Sequence, residues 1–279
     1  MTLVSDPQLL TSLERLSQIL WINSKGVRDV YIRAADSTYL PPPEEGNIWE
    51  EILQVKGRVR KFNDPLVRFE DDLSGLANEL MPTVSFSRGI TYKDVLTYRR
   101  DPRFAEETVN EYNPQALCVT SILVTDDNMV IVGQRKSFGD WASGFELPGG
   151  FITAADVIKR NTIGTIAESK IQDDYGIDPS DLLSRPAFLY KQPPIGEVVL
   201  LNIARTSRKA EQLTKNDPRV CRACDSLFQV HSQVRAYPHS TQGIDTMLSD
   251  IPSEQWHPPS RVTAELYRAN FDAIQSATR

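Results

Sequence analysis

The sequence lacks any long hydrophobic run. No window of its 279 residues approaches the roughly 18 consecutive apolar residues that a membrane-spanning helix needs. Residues 1–20 lack a basic start, a continuous apolar segment and a small-residue cleavage site, so a secretory signal is not expected. Cysteine is scarce, because Cys118, Cys221 and Cys224 are too few for a disulfide framework. These absences predict a cytoplasmic protein with no membrane partner.

Positive charge is not in surplus either. The chain has 31 Lys and Arg against 37 Asp and Glu, a net charge of −6. An acidic balance gives no general attraction to nucleic acid, so we expect no nucleic-acid partner. An anionic ligand would therefore need a local basic or metal-bearing pocket. The content of 40% hydrophobic and 24% charged residues is typical of a globular chain and argues against disorder.

The first 112 residues predict an N-terminal α/β extension. Leucines with helical spacing cover 7–21, and a second helical segment begins at Asn47. The stretch 91–104 predicts a short helix that is capped by Thr91 and closed by the Asp101-Pro102 dipeptide. The predicted strands of this extension are 27–36, 67–73 and 81–90.

Residues 113–279 predict a second unit that begins after an Asn-Pro pair. Its predicted strands are 116–125, 129–136, 187–192 and 197–206. The first two read as a hairpin, and helical patterns cover 155–175 and 261–274. Strands followed by an isolated helix and further strands predict an α+β fold, or a mixed α/β/α domain.

The central helical pattern places charges among apolar residues. Advancing about 100° per residue from Ile163 puts Lys170 and Asp174 on the isoleucine-rich arc, with Asp173 at its edge. Charges in such a position are paired, bind a metal, or line a site. An intrahelical ion pair of Lys170 with the two aspartates is one alternative. A metal or phosphate site is the other.

A glycine pair upstream favours the second alternative. Gly149 and Gly150 allow backbone to approach a ligand closely, although a tight loop after the hairpin would also use them. The segments ELPGGFI (146–152) and ESKIQDDYGI (168–177) resemble the signature of the Nudix family, G-x5-E-x7-R-E-U-x-E-E-x-G-U, in which U is aliphatic. The resemblance covers about residues 115–275.

The resemblance implies a Nudix-like α/β/α sandwich that uses Mg²⁺ (or Mn²⁺) to hydrolyse a small organic diphosphate. Gly150 matches the opening glycine, Asp156 the first acid, and Gly176 the closing glycine. Asp173 and Asp174 match the two late acids, and the resemblance implies that they are metal ligands.

The signature also departs from the family pattern. Gly150 and Gly176 are 26 positions apart (176 − 150), five more than in the box. Ser169 replaces the arginine, and Lys170 replaces the glutamate that serves as base and metal ligand. The lysine removes an oxygen donor that Mg²⁺ prefers and adds a competing cation. Alternatively, it contacts the phosphate directly as an electrostatic clamp.

Two glutamates are candidates to replace the missing base. Glu168 lies about 200° from Lys170 on a regular helix, so it can substitute only if the helix is distorted. Glu197, on a later strand, lines the same side in Nudix folds and is the other candidate. Together with Lys170, these residues form the predicted catalytic set.

The predicted substrate-binding residues surround the glycine pair. They are Arg135, Phe138, Gly149, Gly150 and Tyr190. Arg135 would face a diphosphate, although an exposed strand-end charge is an equal alternative. Phe138 would stack on a base or sugar, although aromatic residues more often belong to a core. Tyr190 lies on a later strand that lines the same side in Nudix folds.

The flanking segments narrow the substrate class. NIWEEILQV (47–55), ITYKDVLTYRRD (90–101) and HPPSRVTAELYRANF (257–271) resemble the animal UDP-glucose and UDP-galactose pyrophosphatase subgroup of Nudix proteins. This resemblance implies a nucleoside diphosphate sugar. Two other hypotheses stay open: a catalytically inactive module that binds a nucleotide or diphosphate, and a non-hydrolytic isomerase or cyclase.

A zinc site is a weaker possibility. Cys221 and Cys224 are followed by His231 and His239, but the spacing falls short of a recognised finger and there is no second cysteine pair. We therefore interpret this segment as a surface insertion.

Overall fold

A computed structural model describes part of the chain, namely residues 17–36, 39, 65–70, 73–77, 81–100, 112–135, 144–214 and 231–278. The predicted helical segment from Asn47 lies outside the described residues, as does most of the one over 7–21. Phe138, Cys221 and Cys224 also lie outside them.

The described strands are β1 (Gln18–Ile22), β2 (Tyr31–Ala34), β3 (Pro65–Phe69), β4 (Thr83–Thr91), β5 (Ala116–Val124), β6 (Met129–Arg135), β7 (Phe145–Glu146), β8 (Gly149–Phe151), β9 (Leu182–Gln192), β10 (Glu197–Thr206) and β11 (His231–Pro238). The described α-helices are α1 (Tyr92–Arg100), α2 (Ala154–Lys159), α3 (Ile163–Tyr175), α4 (Ala210–Thr214), α5 (Thr241–Asp250), α6 (Pro258–Ala269) and α7 (Phe271–Thr278). Short 3-10 turns cover Ser74–Ala77, Pro179–Asp181, Pro193–Ile195 and Ser253–Gln255. None of the helices in these ranges is long and apolar enough to cross a membrane.

The strands form one mixed sheet. Its main path runs β1-β9-β10-β5-β3-β4-β2, with β8 paired to β5, and with β6 paired to β5, β7 and β11. At its centre β10 lies parallel to β5, from Glu197 opposite Ala116 to Arg205 opposite Val124. Because parallel neighbours cannot be joined by a tight turn, the intervening chain must cross over, and α2 and α3 lie in that crossover.

Helices cover both faces of the sheet. Alternate residues of β5 point to opposite sides, so Cys118 and Ile122 join one core while Leu117 and Val119 join another. Helix α3 packs on the second face, and α5, α6 and α7 pack on the first. This arrangement confirms the predicted α+β class and the α/β/α layering.

Strands from the predicted N-terminal extension belong to the same sheet. Strand β1 pairs with β9, and β3 pairs with β4 and, at Arg68, with β5. The proposed division into 1–112 and 113–279 stays a prediction.

Three helical predictions differ from the structure. The end of the pattern over 7–21 is wrong, because Gln18–Ile22 is a strand held by β9; sheet pairing there outweighs local spacing. The pattern over 155–175 is two helices, since Arg160 is extended and Thr162 caps a new helix. The C-terminal pattern is likewise divided into α6 and α7 at Asn270.

Candidate functional site

The glycine pair forms strand β8, which lies against β5. Position 149 must be glycine, because a Cβ there would lie 2.3 Å from the Val119 carbonyl oxygen. A Cβ built at Gly150 would have no atom within 4 Å of it. The Gly149 N–H donates to Asp174 Oδ2 at 3.2 Å. The predicted glycine loop and one late acid of the box therefore meet.

Helix α3 carries the second half of the box. It begins after Thr162, whose side chain accepts the N–H of Thr165, and it ends at Gly176, whose φ of 64° closes the helix in the left-handed region. The residues that face the sheet are fully buried, namely Ile163, Ile166, Ala167 and Ile171. Lys170 and Asp174 lie at the margin of this face and Asp173 is exposed.

Asp156 joins α2 to α3. Its Oδ2 accepts the N–H of Thr153 at 2.9 Å, which caps α2, and the ammonium of Lys170 at 3.0 Å. Its Oδ1 lies 3.7 Å from Arg160 Nη1. Burial tends to raise the pKa of Asp156, but the Thr153 N–H and the Lys170 charge hold it below its usual value. Asp156 is therefore an ionised carboxylate with two cations beside it.

Arg160 also reaches α3 directly. Its Nη2 donates to Ser169 Oγ at 2.7 Å. The Arg160 guanidinium therefore lies beside Ser169, the residue that the resemblance aligns with the arginine of the signature. Arg160 is a site residue that the sequence analysis missed, because only the fold brings it to α3.

A second cluster joins three strands to α3. Arg135 Nε donates to Glu146 Oε1 at 2.9 Å. His231 Nε2 lies 3.5 Å from the same oxygen, too far for a good hydrogen bond. Asp174 is close enough to these side chains for electrostatic interactions with them to affect its pKa. Among the described residues, neither His231 ring nitrogen nor the hydroxyl of the adjacent Tyr175 has a hydrogen-bond partner.

The two carboxyl groups of this cluster differ in charge. Burial and then the charge of Glu146 raise the pKa of Asp174 to about 7, against the opposing charges of His231 and Arg135. Burial acts to raise the pKa of Glu146 as well, but Arg135 and His231 hold it below its usual value. Glu146 is therefore ionised, while Asp174 is able to take or release a proton near neutral pH.

The cluster contains two more residues, Glu146 and His231, that the sequence analysis did not assign to the diphosphate site. Glu146 stands in a short strand between Phe145 and Leu147, both buried, and this isolated charge was the available signal. His231 was assigned only to the alternative zinc site. In the structure its ring lies 4.8 Å from that of Tyr175, centroid to centroid.

Glu168, a predicted base, lies away from these clusters. It accepts the backbone N–H of Ser184 at 3.3 Å, on the side of α3 that the regular helix predicts. Its pKa is raised, first by burial and then by the charge of Asp29. The helix is not distorted to bring Glu168 to the position of Lys170.

Glu197 and Tyr190 are held by structural partners. Glu197 is buried and forms an ion pair with Arg99. Tyr190 is fully buried, and its hydroxyl is hydrogen-bonded to Thr263 on α6. The structure therefore places Tyr190 in the core beneath α6, where a substrate does not reach it. Arg135, Gly149, Gly150 and the late acids are the predicted residues that come together.

The described residues do not fit the magnesium site that the resemblance implies. Magnesium takes carboxylate and water oxygens in a near-octahedral arrangement. Asp156 instead binds Lys170, Asp174 accepts a backbone N–H, and Asp173 is exposed. Across the part of the chain that the structure describes, no three Asp, Glu, His or Cys side chains converge as metal ligands.

The histidines of the alternative zinc site lie apart. His231 lies beside Glu146, whereas His239 Nε2 is hydrogen-bonded to the Tyr267 hydroxyl at 2.8 Å.

No protein-family model matches the sequence, and no curated protein matches it. Several solved structures are similar to part of the chain. The NUDIX domain of Shewanella oneidensis NrtR, complexed with ADP ribose, is 17% identical with a TM-score of 0.35, covering 65% of this chain and 99% of that one. NrtR complexed with a 27mer DNA is 18% identical with a TM-score of 0.33, covering 57% of this chain and 63% of that one.

A NUDIX hydrolase from Nitrosomonas europaea gives a comparable result. It is 16% identical with a TM-score of 0.35, covering 56% of this chain and 71% of that one. At such identities and TM-scores the similarity does not carry an activity, a ligand or a metal over to this chain.

Proposed function

We propose that the chain is a Nudix-type hydrolase of a small organic diphosphate. The observation that carries the proposal is the hydrogen bond from Gly149 to Asp174. It joins the glycine strand to the end of α3, next to the Glu146–Arg135 pair. The two halves of the box, which are 25 residues apart at these two positions (174 − 149), thereby form one site.

The acid cluster supplies a candidate base. Attack of water on a phosphorus atom requires a group that removes the proton of the water. A carboxyl group with a pKa near the working pH is suited to this, and such general base catalysis contributes roughly 10²–10⁴ in rate. Asp174 has that pKa, and the ionised Glu146 beside it helps to set it. We assign the base to Asp174 in preference to Glu197, which Arg99 holds in an ion pair.

The favoured substrate class is a nucleoside diphosphate sugar. This choice depends on the flanking segments that resemble UDP-sugar pyrophosphatases, together with a site that has basic groups at Arg135, Arg160 and Lys170. We further propose that the protein acts in the cytoplasm and binds no nucleic acid, because the chain is acidic and poor in cysteine.

The direct test is turnover by the purified protein. UDP-glucose, ADP-ribose and prenyl diphosphates are incubated with the protein in Mg²⁺, in Mn²⁺ and in chelator, and the products are separated by chromatography. We expect cleavage of a diphosphate bond, slowed about 100-fold or more by Asp174→Asn. Asp272→Asn, an exposed change on α7, serves as the control. Absence of turnover with all substrates in all three conditions rejects the hydrolase.

A second candidate is a catalytically inactive module that binds a diphosphate. The ion pair between Lys170 and Asp156 favours this candidate. Both residues stand at positions where the Nudix signature has acids, and here they bind each other. This alternative predicts that a ligand raises the melting temperature while no product forms. A rearranged product without phosphate release would exclude both candidates in favour of isomerase or cyclase chemistry.

A further inference from the structure

At the junction of α2 and α3, two cationic side chains contact one carboxylate. Lys170 and Arg160 both contact the single carboxylate of Asp156, at 3.0 and 3.7 Å. Arg160 also donates to the neutral hydroxyl of Ser169. Two cations therefore share one anion, which leaves one positive charge without a counter-ion among these contacts.

Both cations have more N–H donors than their contacts with Asp156 and Ser169 use. The Lys170 ammonium has three N–H donors, and one of them is used by Asp156. Arg160 has five donors in a planar fork, a shape that matches the oxygens of a phosphate. Their side chains are 18% and 29% exposed, so a ligand can reach them without unfolding either helix.

The same groups oppose a divalent cation. An ammonium at position 170 repels a metal there, and Asp156 already has its negative charge compensated. A magnesium ion neutralises the negative oxygens of a bound diphosphate. Lysine and arginine side chains are able to do this as well.

We propose that the phosphates of the ligand are held by Lys170 and Arg160, so that binding requires no divalent metal. The inference depends on the proposed diphosphate site. It assigns to the lysine a role that replaces the missing glutamate, and it makes Asp156 an internal anion with which the ligand competes for the two cations.

Calorimetric titration with inorganic pyrophosphate and with ADP-ribose tests this, once in excess EDTA and once in Mg²⁺. We expect the same affinity in both. Binding that occurs in Mg²⁺ but not in EDTA would overturn the metal-free inference, but it would still support the diphosphate site. Failure of both probes to bind in either condition would overturn the inference and the proposed site together.

Two variants separate a binding role from a structural one. Lys170→Met and Asp156→Asn break the same ion pair, so a purely structural effect would weaken binding in both. The inference instead predicts opposite changes. Lys170→Met should weaken binding about tenfold or more, whereas Asp156→Asn should tighten it because the cations lose their internal partner. Lys159→Met, an exposed neighbour on α2, controls for net charge. Equal losses in the first two variants would contradict the inference.

Discussion

Replacing Asp174 by asparagine should make the protein more stable at neutral pH. Asparagine keeps an oxygen that can accept the Gly149 N–H, but it has no charge to bury. The wild-type carboxyl must be ionised next to Glu146 in a largely buried position, and that is unfavourable. A residue that is useful for proton transfer is thus expected to weaken the fold that holds it.

The size of the effect follows from the change in pKa on folding. The pKa of Asp174 is raised from 3.8 to about 7. Since a tenfold change in an ionisation equilibrium corresponds to about 1.4 kcal/mol, the unscreened cost of ionisation is about 4 kcal/mol. Partial contact of the side chain with solvent reduces this to about 2–3 kcal/mol.

The sign depends on pH. Below pH 3.8 the carboxyl is protonated in both states, whereas between 3.8 and about 7 only the unfolded chain releases the proton. The contribution of Asp174 to stability is therefore present at low pH, lost as the pH rises through this window, and constant above it. Asp174→Asn removes the dependence, because asparagine does not titrate.

Urea unfolding followed by circular dichroism measures the difference. We expect Asp174→Asn to exceed the wild type by about 2–3 kcal/mol near pH 8 and to match it near pH 4. Asp173→Asn, an exposed change one residue away, should alter stability by less than about 0.5 kcal/mol at either pH. A variant that is less stable at pH 8, or a difference that does not change with pH, would refute the reasoning.

Three further predictions concern other charged groups. Burial lowers the pKa of His239 to about 4, so the free energy of unfolding should fall by up to about 3 kcal/mol as the pH drops from 6.5 to 4, and His239→Gln should abolish this slope in urea unfolding. Glu197→Gln removes the negative charge from the buried ion pair with Arg99 and should cost about 3 kcal/mol in the same assay; lost turnover at unchanged stability would instead identify Glu197 as the base. Lys170→Glu places a second carboxylate beside Asp156, and Mn²⁺ binding measured by electron paramagnetic resonance should appear in this variant.

The central strands were predictable because local and global signals agree there. Apolar and β-branched residues alternate or run continuously over 116–125 and 197–206, and the structure has strands at Ala116–Val124 and Glu197–Thr206. The turn residues between Val124 and Met129 indicated the reversal of the chain. Here propensity, periodicity and burial favour the same structure.

The sequence analysis missed the helix break at residues 160–162. Residues 159–162 are Lys-Arg-Asn-Thr, a polar stretch that interrupts the apolar spacing, and Thr162 caps the start of α3. The break matters for the site, because it turns Arg160 back toward Ser169. The extra length of the box was visible in the sequence, but the contact between Arg160 and Ser169 was not.

The acid cluster depends on contacts between distant parts of the chain. Glu146 and His231 are 85 positions apart (231 − 146), and their proximity follows from the pairing of β6 with both β7 and β11. A sequence pattern records the residue types but not which strands become neighbours. The same limit applies to Tyr190, whose position in the core depends on which face of β9 lies against α6.

The parallel pairing of β5 with β10 has a consequence for the order of folding. Ala116 and its partner Glu197 are 81 positions apart (197 − 116). At a synthesis rate of roughly 5–20 residues per second, β5 leaves the ribosome about 4–16 seconds before the strand that covers it. During that interval β5, a mostly apolar strand, presents an open edge, which is a template for aggregation. A chain shortened just before Glu197 would retain the whole box segment, yet we expect it in the insoluble fraction of the cell.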